Sequence, residues 1–212
     1  DWYNFIIQHN PTPNKGRAGY DAKNGRGNAH INPNRDRQHG RIYRVVYEGH
    51  DSKALKLDTT QHLHAKDLVK ALSHDNLFWR QTAQRLLVDS KRTDAVPALK
   101  TLTTKGGHGA IHALWTLSGM GALDTKTHTA ALISPEPALR RNAIRALGAD
   151  KLSAQMLYDS ATLADKNLQV RLVAFTKLAA LPESDANKKT ASLLMKLPEN
   201  AKDEWLRLAL QA

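Results

Sequence analysis

The sequence predicts a mostly α fold, a helical solenoid of about five helix pairs behind a short β and loop segment. Three observations predict it. Ala83, Ala113, Ala143 and Ala174 fall 30, 30 and 31 residues apart, and Leu87, Leu117, Leu147 and Leu178 fall at the same intervals. A small residue and a leucine at i and i+4 share one helix face, so their recurrence marks stacked helical repeats. Helix start and stop signals punctuate the chain from about His62 onward, whereas residues 1–60 show no helical period. A solenoid presents surface and implies no chemistry by itself.

The elements follow in order. Within residues 1–60 two apolar segments stand out, Trp2–Ile7 and Arg41–Tyr47. The second is rich in β-branched and aromatic residues and lies between Gly40 and Gly49, so it reads as a strand. The polar residues between the two segments read as a long connection. Two strands do not make a stable sheet alone, so they read as part of a larger β domain. From His62 the pattern predicts helices over 62–72, 76–89, 94–104, 108–119, 125–133, 136–147, 151–163, 167–181, 186–196 and 200–211. Ser134, Pro135 and Glu136 read as an N-cap, a first-turn proline and an acidic first turn. Thr93 and Asp94 read as another start, Asp185 and Asn200 as two more, and Gly148 as a C′ glycine. Gly106 and Gly107 separate two helices. The apolar faces are Leu68, Val69 and Leu72; Leu77, Phe78, Ala83, Leu86 and Leu87; Leu139, Ile144 and Leu147; and Val170, Val173, Leu178 and Leu181. Leu206, Leu208 and Leu210 do not fit the alanine register, as expected of a terminal repeat.

Composition narrows the chemistry. The 212 residues contain no cysteine. Disulfides, thiolate nucleophiles, cysteine zinc sites and a CxxCH haem attachment are therefore excluded within this segment. No apolar run approaches the ~18 residues of a membrane span. The start, Asp1–Asn4, has no initiator Met, basic region or apolar run, so it reads as the start of a processed or excised piece. The formal net charge of +11 favours anionic partners, with an ordinary solvated basic surface as the plainer reading.

Arg80, Arg140 and Arg171 stand in matching register on the second helix of three pairs, with Ala110 in that place in the fourth. This pattern resembles short HEAT-like repeats. The N-terminal residues carry a second resemblance. Asp1–His9, Asn32–Asp36 and His39–Val45 look like the close of a β-propeller in the planctomycete-type membrane-bound dehydrogenases, which are similar to glucose/sorbosone-type sugar dehydrogenases. In that family a propeller is followed by HEAT-like repeats and often by a c-type cytochrome. The resemblance implies a periplasmic or secreted parent protein with PQQ and calcium in the propeller and haem c beyond it. Neither most of the propeller nor the haem motif is in this chain, so no cofactor and no metal is expected within it.

The candidate site residues are few. His9, Asp36 and His39 form the one plausible polar cluster of the propeller-like part, as metal ligands, substrate contacts or loop-fixing groups. Arg35, Arg37, Arg41 and Arg44 read as structural ion-pair formers before substrate contacts. Gly16, Gly19, Gly25 and Gly27 lack the ending of a phosphate loop. Arg80, Arg140, Arg171, Trp79 and Trp115 are the candidate interaction surface. Against that stands an internal ladder of arginine bonds, weighed above it, and semi-buried packing for the tryptophans, Trp205 included. His108, His112 and His128 have no metal-ligand spacing. The leading function is a non-catalytic scaffold joining the rest of its propeller to a partner or cytochrome domain. The alternatives are a share of a dehydrogenase active site through His9, Asp36 and His39, and nucleic-acid binding. Nucleic acid ranks last, because the family resemblance is to secreted proteins and the positive charge is scattered along the chain.

Overall fold

An alanine recurring every 30 or 31 residues leaves room for two helix backbones to approach, and the leucine one turn later fills the space beside it. That is how the helices stack. The structure, a computed structural model, describes residues 2–4, 35–40 and 64–211. The chain divides into two units, residues 1–55 and 56–212.

In the first unit, β1 (Trp2–Asn4) pairs antiparallel with β2 (Arg35–Gly40). Trp2 stands opposite Gly40 and Asn4 opposite Arg35, with an irregularity between. The strand therefore takes in residues read above as connection. Residues 41–47, and the remainder of the propeller-like reading, lie outside the described residues.

Every regular element among the described residues of the second unit is a helix. Its helices are α1 (Ala65–Ala71), α2 (Leu77–Asp89), α3 (Val96–Thr103), α4 (Gly107–Gly119), α5 (Thr125–Leu132), α6 (Pro137–Ala146), α7 (Lys151–Asp159), α8 (Leu168–Ala179), α9 (Asp185–Met195), α10 (Pro198–Ala201) and α11 (Glu204–Gln211). The second helices of the pairs, α2, α4, α6, α8 and α11, pack against one another in sequence. They carry the register: Ala83, Ala113, Ala143 and Ala174 are buried, as are Leu87, Leu117, Leu147 and Leu178. Each such leucine contributes about 1.5–3 kcal/mol of burial. The second helices also join neighbouring cores. Ala113 and Leu117 of α4 belong to the cluster of α1 to α3. Ala110 and Leu114 of the same helix belong to the next cluster, with Leu132, Leu139, Ile144, Leu157 and Val170. Phe175 of α8 opens a third, with Leu206, Ala209 and Leu210.

Caps set the boundaries. Asn76, Asp124, Asp150, Asn167, Ser184 and Asp203 each accept a backbone N–H of the first turn that follows, satisfying donors the helix leaves open. Several expectations are corrected. Pro137, not Pro135, takes the first position of α6. The predicted helix 151–163 ends at Asp159, because Ala161 is left-handed at φ 56°. The predicted helix 200–211 is two pieces, since Asp203 caps a new start. Leu77 and Phe78 are 49% and 61% exposed, and Leu208 45%, so they line no core. Measured from the cap, Leu210 occupies the place in α11 that Ala174 occupies in α8. The last repeat thus keeps the register in space while losing the interval in sequence.

Two glycines act differently from one another. Gly148 follows the end of α6 without a left-handed φ. Its constraint is space, because an added Cβ would lie 2.6 Å from Asp150 Oδ2. Gly106 has φ +75°, and an added Cβ would lie 2.3 Å from Glu136 Oε1. Gly106→Ala is therefore expected to cost about 1–3 kcal/mol, read as a lower urea midpoint at unchanged slope. An unmoved midpoint would contradict this geometry.

Candidate functional site

Arginine carries donors in a planar fork, so one side chain can close its own turn and reach a neighbour at once. The three ladder arginines do both. Arg80 Nη1 donates to the carbonyls of His74 (2.5 Å) and Asp75 (2.8 Å), and Nε to His112 Nε2 (3.3 Å). Arg140 Nη1 donates to the carbonyls of Ser134 (2.7 Å) and Pro135 (3.0 Å). Its Nε and Nη2 grip Asp165 Oδ2 and Oδ1 at 2.7 and 2.9 Å. Arg171 donates Nε and Nη2 to the Asp165 carbonyl, both at 3.0 Å, and Nη1 to Asn200 Oδ1 at 2.7 Å. Each thus ties the loop before its helix to the segment that follows. Their hydrogen bonds run inside the solenoid.

Other links run between repeats. Trp115 Nε1 donates to Asn142 Oδ1 at 2.9 Å, and Asn142 Nδ2 to the Ala138 carbonyl at 2.8 Å. Lys177 Nζ reaches the Leu147 carbonyl at 2.8 Å, and Tyr158 donates to Asn187 Oδ1. Where α4 has Ala110 in the arginine's place, Glu136 reaches back and accepts the Gly107 N–H at 2.8 Å. A carboxylate at a helix N-terminus is favourably placed there.

Asp165 is nearly buried, which pushes its pKa up. The Arg140 and Asn167 hydrogen bonds and the charges of Arg140 and Arg171 outweigh this and hold it below the usual carboxylate value. His112 is shifted down, first by burial, then by the charges of Arg80 and His108. Its Nδ1 contacts Gln84 Oε1 at 2.7 Å. Neutral His112 therefore donates through Nδ1 and accepts from Arg80 through Nε2. His128 is buried and also shifted down, although its Nε2–H donates to the Ala143 carbonyl at 2.7 Å, which pulls upward. Both imidazoles fold neutral. A depressed folded pKa gives stability that is full above the unfolded value and lost as pH falls through the folded one. The melting temperature is expected to be flat above about pH 7 and to fall on acidification from about pH 6.5. His112→Gln should flatten part of that slope. Equal melting at neutral and mildly acid pH would overturn the assignment.

Among the candidates of the first unit, Asp36 and His39 lie on β2, as do Arg35 and Arg37. His9, Arg41, Arg44 and the glycines from Gly16 to Gly27 lie outside the described residues. Trp79 is half-buried, with its ring edge-to-face with Phe78 at 4.8 Å. Trp205 is 69% exposed. Among the described residues no group of histidine, aspartate and glutamate is placed to hold a metal ion. No helix among the described residues is long and apolar enough to cross a membrane. A groove of about 370 Å³ lies between α8, α9 and α11, with Phe175, Leu178 and Leu210 on its floor and Glu183, Ser184 and Lys188 at its rim.

Sequence reasoning singles out Trp115 but misses the arginines that share its register. Arg85, Trp115 and Arg145 fall 30 residues apart. They occupy one register position on α2, α4 and α6, and Arg141 stands a turn before Arg145. The 30-residue interval of the alanines carries these positions too, two residues after each alanine. No family model and no curated protein matches the chain.

Proposed function

We propose that this chain is a non-catalytic interaction module, a rigid helical platform that holds a partner on the exposed side of its second-helix row. One observation carries the reading. The polar side chains at repeat spacing, Arg80, Arg140 and Arg171, are spent on joining repeats. The opposite side of the same helices keeps Arg85 and Arg145 exposed. Rigidity on one side and unspent donors on the other suit binding without chemistry.

The resemblance of residues 1–45 supplies the setting: a periplasmic or secreted sugar-dehydrogenase-like parent, in which the solenoid links the propeller to a cytochrome domain or protein. In such a parent, deleting residues 64–212 is expected to slow electron transfer from sugar to haem. Turnover with a small artificial acceptor should be kept. Unchanged transfer to haem overturns the linking role, and sugar oxidation by this chain alone overturns the non-catalytic one.

A further inference from the structure

The fold sorts charge that looks scattered in the sequence. The helices α2, α4, α6 and α8 carry Arg80, Arg85, Arg140, Arg141, Arg145, Arg171 and Lys177 against a single acid, Asp89. The other acids of the described helical unit lie on the first helices, the connections and the last repeat. Four of those seven cations are bonded internally, as described above. Among the described residues, no hydrogen bond or ion pair engages the guanidinium groups of Arg85, Arg141 or Arg145. The Nε of Arg141 is buried without a partner.

Arg85 and Arg145 hold the register position of Trp115 on the two helices that pack against α4, with Arg141 a turn before Arg145. Arg85 and Arg145 are exposed, and Trp115 between them is half-buried. The helices of such a row stand about 8–10 Å apart, so the line from Arg85 to Arg145 spans about 20 Å. The indole is fixed, because its one polar atom is bonded to Asn142, itself held by the Ala138 carbonyl. Its one donor is thereby taken, and what remains of the half-buried ring for a ligand is π surface.

We propose that this face binds single-stranded nucleic acid, with backbone phosphates on Arg85, Arg141 and Arg145 and a base stacked on Trp115. Guanidinium groups suit phosphate, and an aromatic between cations is how sequence-tolerant single-strand sites are built. A duplex hides its base faces within the stack and would leave the indole unused. A peptide of aspartate and glutamate alone would satisfy the arginines but bring no ring to the indole. A hydroxyl-rich acidic polysaccharide needs acceptors, and the face on α2, α4 and α6 offers a single carboxylate, Asp89 at the end of α2. The arrangement is a line at one register position across three helices, which fits a chain-like ligand. This inference rests on the interaction-module reading and is independent of the redox setting.

The test is fluorescence anisotropy of the full 212-residue chain with a labelled oligo-dT. The probe is about 20 nucleotides long, and binding is read between about 50 and about 200 mM salt. Binding is expected to fall steeply with salt and to exceed that of a duplex of equal length. Arg85→Gln with Arg145→Gln should reduce the logarithmic salt slope by about 1.4, about 0.7 for each lost phosphate contact. Trp115→Ala should weaken binding about 5- to 150-fold. Trp115→Phe keeps a π-face without the N–H and should recover most of it. Thermal melts of each variant separate lost binding from lost folding. Three results overturn the proposal: no binding at low salt, equal affinity for duplex, or an unchanged salt slope in the arginine variant. Preference for heparin or polyglutamate, abolished by the same substitutions, also overturns this ligand but leaves the interaction-module reading standing. That reading fails separately, in the electron-transfer experiment.

Discussion

Arg140→Ala is expected to destabilise the helical unit by about 3 kcal/mol, the lower end for breaking a buried ion pair by removing one partner. The melting temperature should fall by about 6–12 °C in a domain of this size. The magnitude follows from what is left behind. The side chains of Arg140 and Asp165 are 15% and 8% exposed, so water cannot replace the lost partner well. Asp165 would keep the Asn167 N–H and face the more distant charge of Arg171. The carbonyls of Ser134 and Pro135 would lose their donor as well. The double variant Arg140→Ala with Asp165→Asn should recover part of the loss, because no uncompensated carboxylate remains. The acid limb of stability offers a second reading. The depressed Asp165 pKa gives stability that is present above the unfolded value of about 3.9 and lost as pH falls through the folded one. That component should shrink in Arg140→Ala, where only the Asn167 N–H and the charge of Arg171 remain to oppose burial. A drop below about 1 °C, or strict additivity in the double variant, would show the pair to be incidental.

The ladder also shows how far the sequence reaches. Its arginines were visible because they recur at the repeat interval beside the alanines. Their partners were not, since Arg80 finds His112, Arg140 finds Asp165 and Arg171 finds Asn200, three different residues at three different separations. A period reveals positions that meet equivalent surroundings, and says nothing about which neighbour answers them. The same limit hid Glu136. It reads as a first-turn acid of its own helix, yet it serves the N-terminus of α4. Choosing between Pro135 and Pro137 as the first residue of α6 was beyond local rules, because either suits a helix start. The Pro135 carbonyl accepts from Arg140 instead, which holds that residue outside the helix. The last repeat escaped for a simpler reason. The extra turn of α10 lengthens the interval between Ala174 and Leu210, so a search at fixed spacing loses it. The face around Trp115 was legible as spacing and became an arrangement only when the fold separated it from the acids.

Phe175→Ala is expected to cost about 3–5 kcal/mol, and its effect should be local. Phe175 is fully buried, and it holds α8 to Leu206, Ala209 and Leu210 of α11. It also floors the groove beneath α9, a helix with no fully buried residue of its own. Removing the ring therefore takes away the main apolar contact of the terminal repeat. The first two repeats keep theirs, because Leu72, Leu87, Leu99 and Leu117 belong to a separate cluster. In a solenoid each repeat is stabilised chiefly by its neighbours, so damage at one end need not spread. Amide exchange should rise throughout α9, α10 and α11 and stay close to wild type in α2 and α4. Oligo-dT binding around Trp115 should survive at temperatures where the last repeat has opened. Uniform loss of protection from α1 to α11 would mean that the unit melts as one cooperative block. The face on α2, α4 and α6 would then depend on the terminal repeat for its shape, and truncation at Leu181 would abolish binding instead of sparing it.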